Sequence, residues 1–351
     1  MITSALNLAN LLFLRKNPAY LINFVTERCN ASCPHCFLKF DKKTEEMRLE
    51  EYEKIASSCG KNLQMVALTG GEPFLRDDLF EIADIWYSNA KLKYISVTTN
   101  GSMPDKIENF ARRAQERKMP AGIFFSYDFI GEKFSQNRNL KDLHLNVIKS
   151  YKAVKKFPKL DTGFSITVSP QNAENAVEVY RYLLNEIGVK NINIILLRGE
   201  QACALDAVSK QNIAKAYKNI WACRNKDFDE NVLKGFSARP LISLAVNAKN
   251  KIANKHILDT FVNDKYIAPC FAGSLLGVIY ADGDVAPCEL LADKIGNLKD
   301  FNYNFADLWR SPAAYALRSK IKKTKCHCTF ECAWSVNILG NLKFYPRIFY
   351  E

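Results

Sequence analysis

No apolar run in this chain is long enough to cross a bilayer: the stretch 6–14, followed by Arg15 and Lys16, falls short of the about 20 residues a spanning helix needs. A secretory signal is missing too, since residues 1–14 carry neither a basic n-region nor a small-residue cleavage site. The 11 cysteines are therefore read as reduced, cytoplasmic and partly metal-bound, not as a disulfide framework. No nucleic-acid motif, low-complexity segment or repeat beyond a strand–helix alternation accompanies the net charge of +12, which disfavours nucleic acid as a partner. Basic residues gather late, from Arg310, Arg318 and Lys320 through Lys322, Lys323 and Lys325 to Lys343 and Arg347. That balance fits an acidic or phosphorylated substrate, an acidic partner, peripheral contact with an anionic membrane, or solubility alone. The length, 351 residues, suits one large domain or a large one with a smaller companion.

What is present begins at residues 29–37, Cys-Asn-Ala-Ser-Cys-Pro-His-Cys-Phe, directly after an apolar stretch over 20–25. Cys29, Cys33 and Cys36 at spacing Cys-x3-Cys-x2-Cys put three thiolates on one short loop, enough for one face of an iron–sulfur cube with one iron left open. A Cys3His zinc site is the alternative, against which the tightness of the loop around His35 argues. The spacing resembles the radical S-adenosylmethionine (SAM) enzymes. In that family SAM chelates the open iron and is cleaved by one electron to a 5′-deoxyadenosyl radical, which takes a hydrogen atom from substrate.

Helical spacing over 49–59 makes Cys59 a core thiol, and a short strand over 65–68 runs into Thr69-Gly70-Gly71-Glu72-Pro73. Paired glycines at a strand end admit close backbone approach, and the carboxylate can accept from an ammonium. The turn resembles the family's GGE motif, which implies that Gly70, Gly71 and Glu72 hold the SAM amino group. A helix over 77–86 and a strand over 94–98 lead to Thr99-Asn100-Gly101, which resembles the family's TNG turn near the SAM ribose. Helices over 105–117, 143–155 and 173–186 alternate with strands over 122–127, 163–168 and 191–197.

Six strands alternating with helices predict a parallel sheet, and six units suit a partial barrel better than a closed one of eight. The fold class expected is thus α/β, a partial (β/α)6 TIM-type barrel, with a small C-terminal α+β cysteine-rich domain. The resemblance extends to Ser126 and Asp128 on the fourth strand and to Arg138 as a contact of the SAM carboxylate. It also implies that His35, Ser165, Thr167 and Leu197 line the SAM pocket. Arg198 and Glu200, beyond the sixth strand, are read as candidate substrate contacts or as a surface ion pair.

A second cysteine group follows 207–223, which reads as helix, and 224–265, which is mixed and hard to place. Cys270 precedes an apolar run over 275–280, an Asp282-Gly283-Asp284 hairpin turn and Cys288, and Cys326, Cys328 and Cys332 come later. Five cysteines are one more than a four-iron cluster needs. The stretch resembles the SPASM or Twitch extension of radical SAM enzymes, implying one auxiliary four-iron cluster held by Cys270, Cys288, Cys332 and either Cys326 or Cys328. Zinc with His327 is the alternative. Cys203 and Cys223 are read as ordinary buried thiols.

The expected organisation is an apolar helix over 1–19, a radical SAM partial barrel over 20–206, a bridging region over 207–265, an auxiliary-cluster domain over 266–333 and a tail over 334–351. The function expected is reductive cleavage of SAM and hydrogen-atom abstraction from an unidentified substrate, with the auxiliary cluster serving electron transfer and flavodoxin or ferredoxin as reductant. Substrate classes kept are a small polar or anionic metabolite, a sugar, a lipid head group and a peptide. Only about twenty residues precede the first strand, fewer than a leader-binding domain needs, which weakens the peptide class without removing it. The end at Arg347-Ile-Phe-Tyr-Glu351 lacks the Gly-Gly tail of molybdopterin-precursor synthases. A non-catalytic iron–sulfur or zinc protein is the reading from another class.

Overall fold

Parallel strands covered on both faces are apolar almost throughout, and the computed structural model, which describes residues 7, 9–38, 45–233 and 240–350, builds its sheet from such runs. Strand β1 (Tyr20–Thr26) is buried at every position after the first. It is followed by β2 (Met65–Gly70), β3 (Tyr94–Thr99), β4 (Ala121–Ser126), β5 (Asp161–Val168) and β6 (Ile192–Leu196). These six pair in sequence order, every pair parallel. Helices α1 (Leu49–Ser58), α2 (Leu79–Asn89), α3 (Pro104–Glu116), α4 (Leu143–Val154) and α5 (Ala176–Asn185) connect them. Each buries one stripe, such as Ile107, Phe110, Ala111 and Ala114 of α3, at the spacing of a helix lying on a core.

The sheet does not close on itself. β1 pairs on its second edge with β7 (Leu276–Ile279), again parallel, and β7 continues through an antiparallel hairpin to β8 (Asp284–Ala286) and β9 (Gly296–Asn297). The nine-stranded order β6-β5-β4-β3-β2-β1-β7-β8-β9 makes the cysteine-bearing hairpin an extension of the barrel sheet.

The region expected to be mixed is mostly helical where it is described. Helix α6 (Ala207–Asp229) runs beyond the expected 223, and α7 (Pro240–Asn263) is a second long helix. No single apolar stripe announces α7, because it packs against α6, α9 (Glu331–Leu339) and the last helix, Tyr345–Tyr350. The expected tail over 334–351 thus consists largely of helix, with α8 (Pro312–Lys323) preceding it. Helix α9 stands where a closed barrel would join β6 to β1: Glu331 accepts from the Leu196 N–H at 2.8 Å, and Cys332 Sγ lies 3.6 Å from Tyr20 Oη.

Of the helix expected over 1–19, residues 1–6 and 8 lie outside the described residues. What is described is one wide turn, Asn10–Leu14, closed by the Arg15 N–H on the Asn10 carbonyl at 2.8 Å. Leu12 is buried, whereas Phe13 and Leu14 are 67% and 56% exposed. Arg15 then ties the turn to the body, donating to the Gly340 carbonyl at 2.7 Å. Among the described residues no helix is long and apolar enough to cross a membrane.

Candidate active site

The ends of β1, β2 and β3 meet on one side of the sheet, the side on which parallel α/β folds bind ligands. There the chain turns at 26–28, 70–72 and 99–101. Gly70 has φ +148°, and a Cβ on it would lie 2.3 Å from the Thr26 carbonyl oxygen. A Cβ on Gly71 would lie 2.1 Å from the Arg28 carbonyl oxygen and 2.9 Å from Cys29 Cβ. Both contacts are far below van der Waals distance, so the glycines do more than admit a ligand: they let the β2 turn seat the base of the cysteine loop. Gly71 N–H on Thr26 O at 2.9 Å and Glu72 N–H on Arg28 O at 2.8 Å complete that seat.

Glu72 stands behind the cleft wall, 1% exposed. Its Oε1 accepts from Thr99 Oγ1 at 2.7 Å and from the Phe74 N–H at 3.1 Å, and its Oε2 from the Asn100 N–H at 2.7 Å. Burial pushes this carboxyl up, and the three donors pull it back. A carboxylate has about four acceptor positions, of which these donors take three. Asn100 passes the constraint on, donating to Asn30 Oδ1 in the cysteine loop at 2.9 Å.

A second set of contacts fixes the far side of the loop. Asp128, 1% exposed, accepts from the Thr167 N–H at 2.8 Å, pairs with Arg138 Nη2 and lies 3.5 Å from His35 Nε2. Burial opposes the charge of Arg138, and Asp128 outweighs it. Burial likewise lowers His35, against the pull of Asp128. The Arg138 carbonyl accepts from the Ser32 N–H at 2.9 Å, which brings this network back to the cysteines.

Two residues that the sequence reading passed over complete the frame. Asn172 Nδ2 donates to the carbonyls of Asp128 and Thr167 at 3.1 and 2.8 Å, and Gln201 Nε2 donates to those of Pro34 and Cys36 at 3.1 and 2.8 Å. Nothing in the local sequence marks either, because each acts on backbone distant in the chain.

These elements enclose a cleft of about 400 Å³. Cys29, Cys33, His35 and Cys36 line it, together with Gly70, Gly71, Asn100, Ser126, Arg138, Thr167 and Leu197. Ser165 is not on its wall; its carbonyl accepts from the Tyr127 N–H at 3.0 Å. Burial pushes the Cys33 thiol up to about 11 and that of Cys29 upward as well, so metal binding there releases protons. Three soft thiols on one loop are the donor set an iron–sulfur cluster takes. Buried atoms without a partner, Arg138 Nε, Arg198 Nε and Gln201 Oε1, belong to side chains of the same cleft, which suits a polar ligand.

Arg198 is not half of a surface ion pair. It lies between the rings of Phe37 and Phe330 and bridges Glu289 and Glu331 at 2.9 and 3.1 Å. Burial raises both carboxyls and opposes the guanidinium charge, which the two glutamates restore. Glu289 and Arg198 line the cleft on the side facing the second cysteine group.

In that group Cys270, Cys288, Cys326 and Cys328 are near enough to act on one another's thiols electrostatically. Cys332 turns elsewhere, toward Tyr20, Glu289 and Arg198. His327 points away from the thiols, its Nε2 lying 3.2 Å from Asp264 Oδ1. Among the described residues no three His, Cys, Asp or Glu side chains converge on one metal ion. Cys59 is buried as expected and Cys223 half-buried; Cys203, expected inside, is exposed at the end of the short helix Glu200–Cys203.

A family model described as the radical SAM superfamily matches residues 23–183, and one described as an iron–sulfur cluster-binding domain, SPASM, matches residues 270–333. AlbA of Bacillus subtilis strain 168, a biosynthesis protein of the antilisterial bacteriocin subtilosin, is 23% identical over 313 residues, covering 87% of this chain and 62% of AlbA. The AdoMet-dependent heme synthase of Methanosarcina barkeri strain Fusaro is 22% identical over 320 residues, covering 87% and 85%. In fold the chain is similar to anSMEcpe, solved with bound AdoMet and a Kp18Cys peptide, at a TM-score of 0.63 and 22% identity over 95% of this chain and 96% of that one. The chain spans 63%, 26% and 62% of the length of the first three curated relatives it matches.

Proposed function

We propose that this chain, which belongs to the radical SAM superfamily and carries a C-terminal SPASM domain, cleaves SAM reductively in the cleft described above and uses the product to take a hydrogen atom from a substrate. The observation that carries the reading is the meeting of Cys29, Cys33 and Cys36 with Gly70, Gly71, Asn100 and Arg138 around one cleft. A four-iron cluster on those three thiolates would supply the electron.

The chain's own residues have separable tasks. Gly70 and Gly71 seat the cysteine loop, and Glu72 holds the Asn100 turn while keeping one acceptor position for the SAM ammonium. Arg138, kept charged by Asp128, suits the SAM carboxylate. His35, Ser126, Thr167 and Leu197 complete the wall, and Ser165 supports it through its backbone. On the opposite side Arg198 and Glu289 form the polar boundary where a substrate would lie, between the SAM site and the auxiliary thiols.

The substrate we favour is a peptide. Its support is the bacteriocin biosynthesis named for AlbA and the peptide in the anSMEcpe complex, each known of that protein. A small anionic metabolite is the second reading, supported by the net charge of +12 and by the similarity to the heme synthase. Flavodoxin or ferredoxin would serve as reductant in the cytoplasm. The test is anaerobic loading with iron and sulfide, addition of SAM and dithionite, and chromatography for 5′-deoxyadenosine. Iron-loaded protein that yields none would overturn the catalytic reading in favour of a carrier, and zinc in place of iron would overturn the cluster assignment.

A further inference from the structure

Phe13 and Leu14 are exposed and follow a stretch, 2–12, without a single charged side chain. We propose that they form, with Leu339 and Leu342, an apolar patch bordered by cations that seats this protein on the surface of an anionic membrane. The proposal is independent of the SAM chemistry.

Local geometry holds the two side chains out. The turn Asn10–Leu14 ends at Arg15 in the left-handed region, φ 49° and ψ 34°, which a residue with a Cβ enters only at a cost. Its own contacts keep it there. The Arg15 N–H donates to the Asn10 carbonyl at 2.8 Å, and its guanidinium donates to the Gly340 carbonyl at 2.7 Å and lies 4.2 Å from the centre of the Phe271 ring. Asn10 Oδ1 braces the turn from inside, accepting from the N–H groups of Lys16 and Asn17, both at 3.2 Å. Leu12 is thereby packed inward, while Phe13 and Leu14 face solvent. Gly340 lies between Leu339 and Leu342, 39% and 52% exposed, so the Arg15 tether sets apolar side chains of two distant segments beside one another.

Charge decides what covers the patch. Lys16, Arg310 and Lys343 stand at its border, all three exposed. Arg310 donates to Asn17 Oδ1 at 3.2 Å and Lys343 to the Ile267 carbonyl at 2.7 Å, neutral acceptors that leave the positive charge in place. Residues 1–19 contain no acid. After Asp307 come eight basic residues and two acids, Glu331 and Glu351, and Glu331 is turned inward to Arg198. A second copy of the chain would set this excess of cations against itself, which opposes self-association through the patch. The head groups of an anionic surface complement it, and apolar side chains flanked by basic ones are the form that interfacial anchors take. The uncharged stretch is too short to span, so the contact is peripheral. Helix α9 relates the patch to the cleft: Glu331 at its start pairs with Arg198, and Leu339 at its end lies about 12 Å further along the axis.

The test mixes the full chain with vesicles of phosphatidylcholine and phosphatidylglycerol in equal parts, or of phosphatidylcholine alone, and reads the bound fraction by flotation. The parent is expected to bind the mixed vesicles, to bind phosphatidylcholine at least about tenfold more weakly, and to be released as salt rises from about 0.1 M to about 1 M. Phe13→Ser combined with Leu14→Ser should weaken binding to mixed vesicles about tenfold or more, and Lys16→Glu combined with Lys343→Glu should do the same. Circular dichroism should not change, because all four side chains are exposed. As a direct reading, Phe13→Trp adds an exposed indole to four buried ones, and its emission should be quenched by mixed vesicles carrying brominated lipid. The proposal is overturned if the parent binds neither vesicle or both equally, if the folded serine variant binds as the parent does, or if the Phe13→Trp emission is not quenched. A dimer in sedimentation that the serine variant abolishes, with no vesicle binding, overturns it in favour of self-association. Should the serine variant unfold, the Phe13→Trp quenching decides.

Discussion

Replacing Glu72 by Gln removes one charge and swaps one oxygen for an amide, and the structure says what each change costs. Oε1, which serves Thr99 and Phe74, can be kept by the glutamine carbonyl, whereas the position of Oε2 would hold an NH2 facing the Asn100 N–H. A donor then meets a donor in a site that is 1% exposed. Hydrogen bonds to a charged group contribute about 1.5–3 kcal/mol each, and a stranded buried donor costs about 1–3 kcal/mol. Part of this is offset because a buried charge no longer has to be maintained. The expected loss is about 2–4 kcal/mol, read as a lower urea midpoint at unchanged slope for metal-free protein under anaerobic conditions. SAM binding by the loaded protein should weaken with it, since the Asn100 turn and the cysteine loop share the bond from Asn100 Nδ2 to Asn30 Oδ1. An E72Q protein that unfolds within about 0.5 kcal/mol of the parent, as a surface substitution does, would refute the reasoning and leave Glu72 as a ligand contact only.

Gly71→Ala would drive a Cβ to 2.1 Å from the Arg28 carbonyl, a backbone contact that cannot yield, so iron per loaded chain should fall from about eight to about four; unchanged iron would mean that the seat is not required. Arg198→Met leaves two carboxylates whose side chains are 6% and 19% exposed without their cation. It should cost about 3–5 kcal/mol at pH 7 in urea unfolding. Because burial raises both carboxyls, their ionisation in the folded variant is unfavourable above the unfolded carboxyl value and is relieved by protonation. The deficit should therefore shrink as the pH falls toward about 4, and a pH-independent deficit would contradict the pairing. Lys249, pulled down from 10.5 to about 8 by burial, penalises the fold below 10.5 and in full below about 8. The unfolded chain binds the extra proton between the two values, so stability gained by Lys249→Met at pH 7 should narrow as pH rises through that window; parallel stability curves for the two proteins would exclude a buried ammonium.

Much of the barrel is legible in the sequence because its signals are local. Apolar runs of strand length, one-sided helices such as α3 and glycines at strand ends each report a backbone state within a few residues. What the sequence conceals is tertiary. Arg198 finds Glu289 and Glu331, 91 and 133 residues away, where the chain offered Glu200 as a neighbour. Helix α7 escapes notice because contacts on several sides remove the stripe that marks a helix with one buried face. Cys328 and Cys332 are four apart in sequence, yet the start of α9 falls between them and Cys332 lies against Tyr20 of β1.

Strand β1 explains why two cysteine groups so distant in the chain keep a fixed relation. Its last residues lead directly into the loop of Cys29, and its first residue, Tyr20, meets Cys332 of α9. Its second edge takes β7 in the register Tyr20↔Leu276 to Asn23↔Ile279, and the hairpin from β7 delivers Glu289 to the cleft and Cys288 beside it in sequence. A slip of one residue in that register would turn every β7 side chain to the other face. Gly277 guards against it: a Cβ there would lie 2.7 Å from the Trp309 ring and 3.0 Å from Leu21, so the alignment is enforced by shape on both sides. The spacing between the first and the second cysteine group is thus set by a strand pairing inside a covered sheet, which moves far less than a linker between two docked domains would allow.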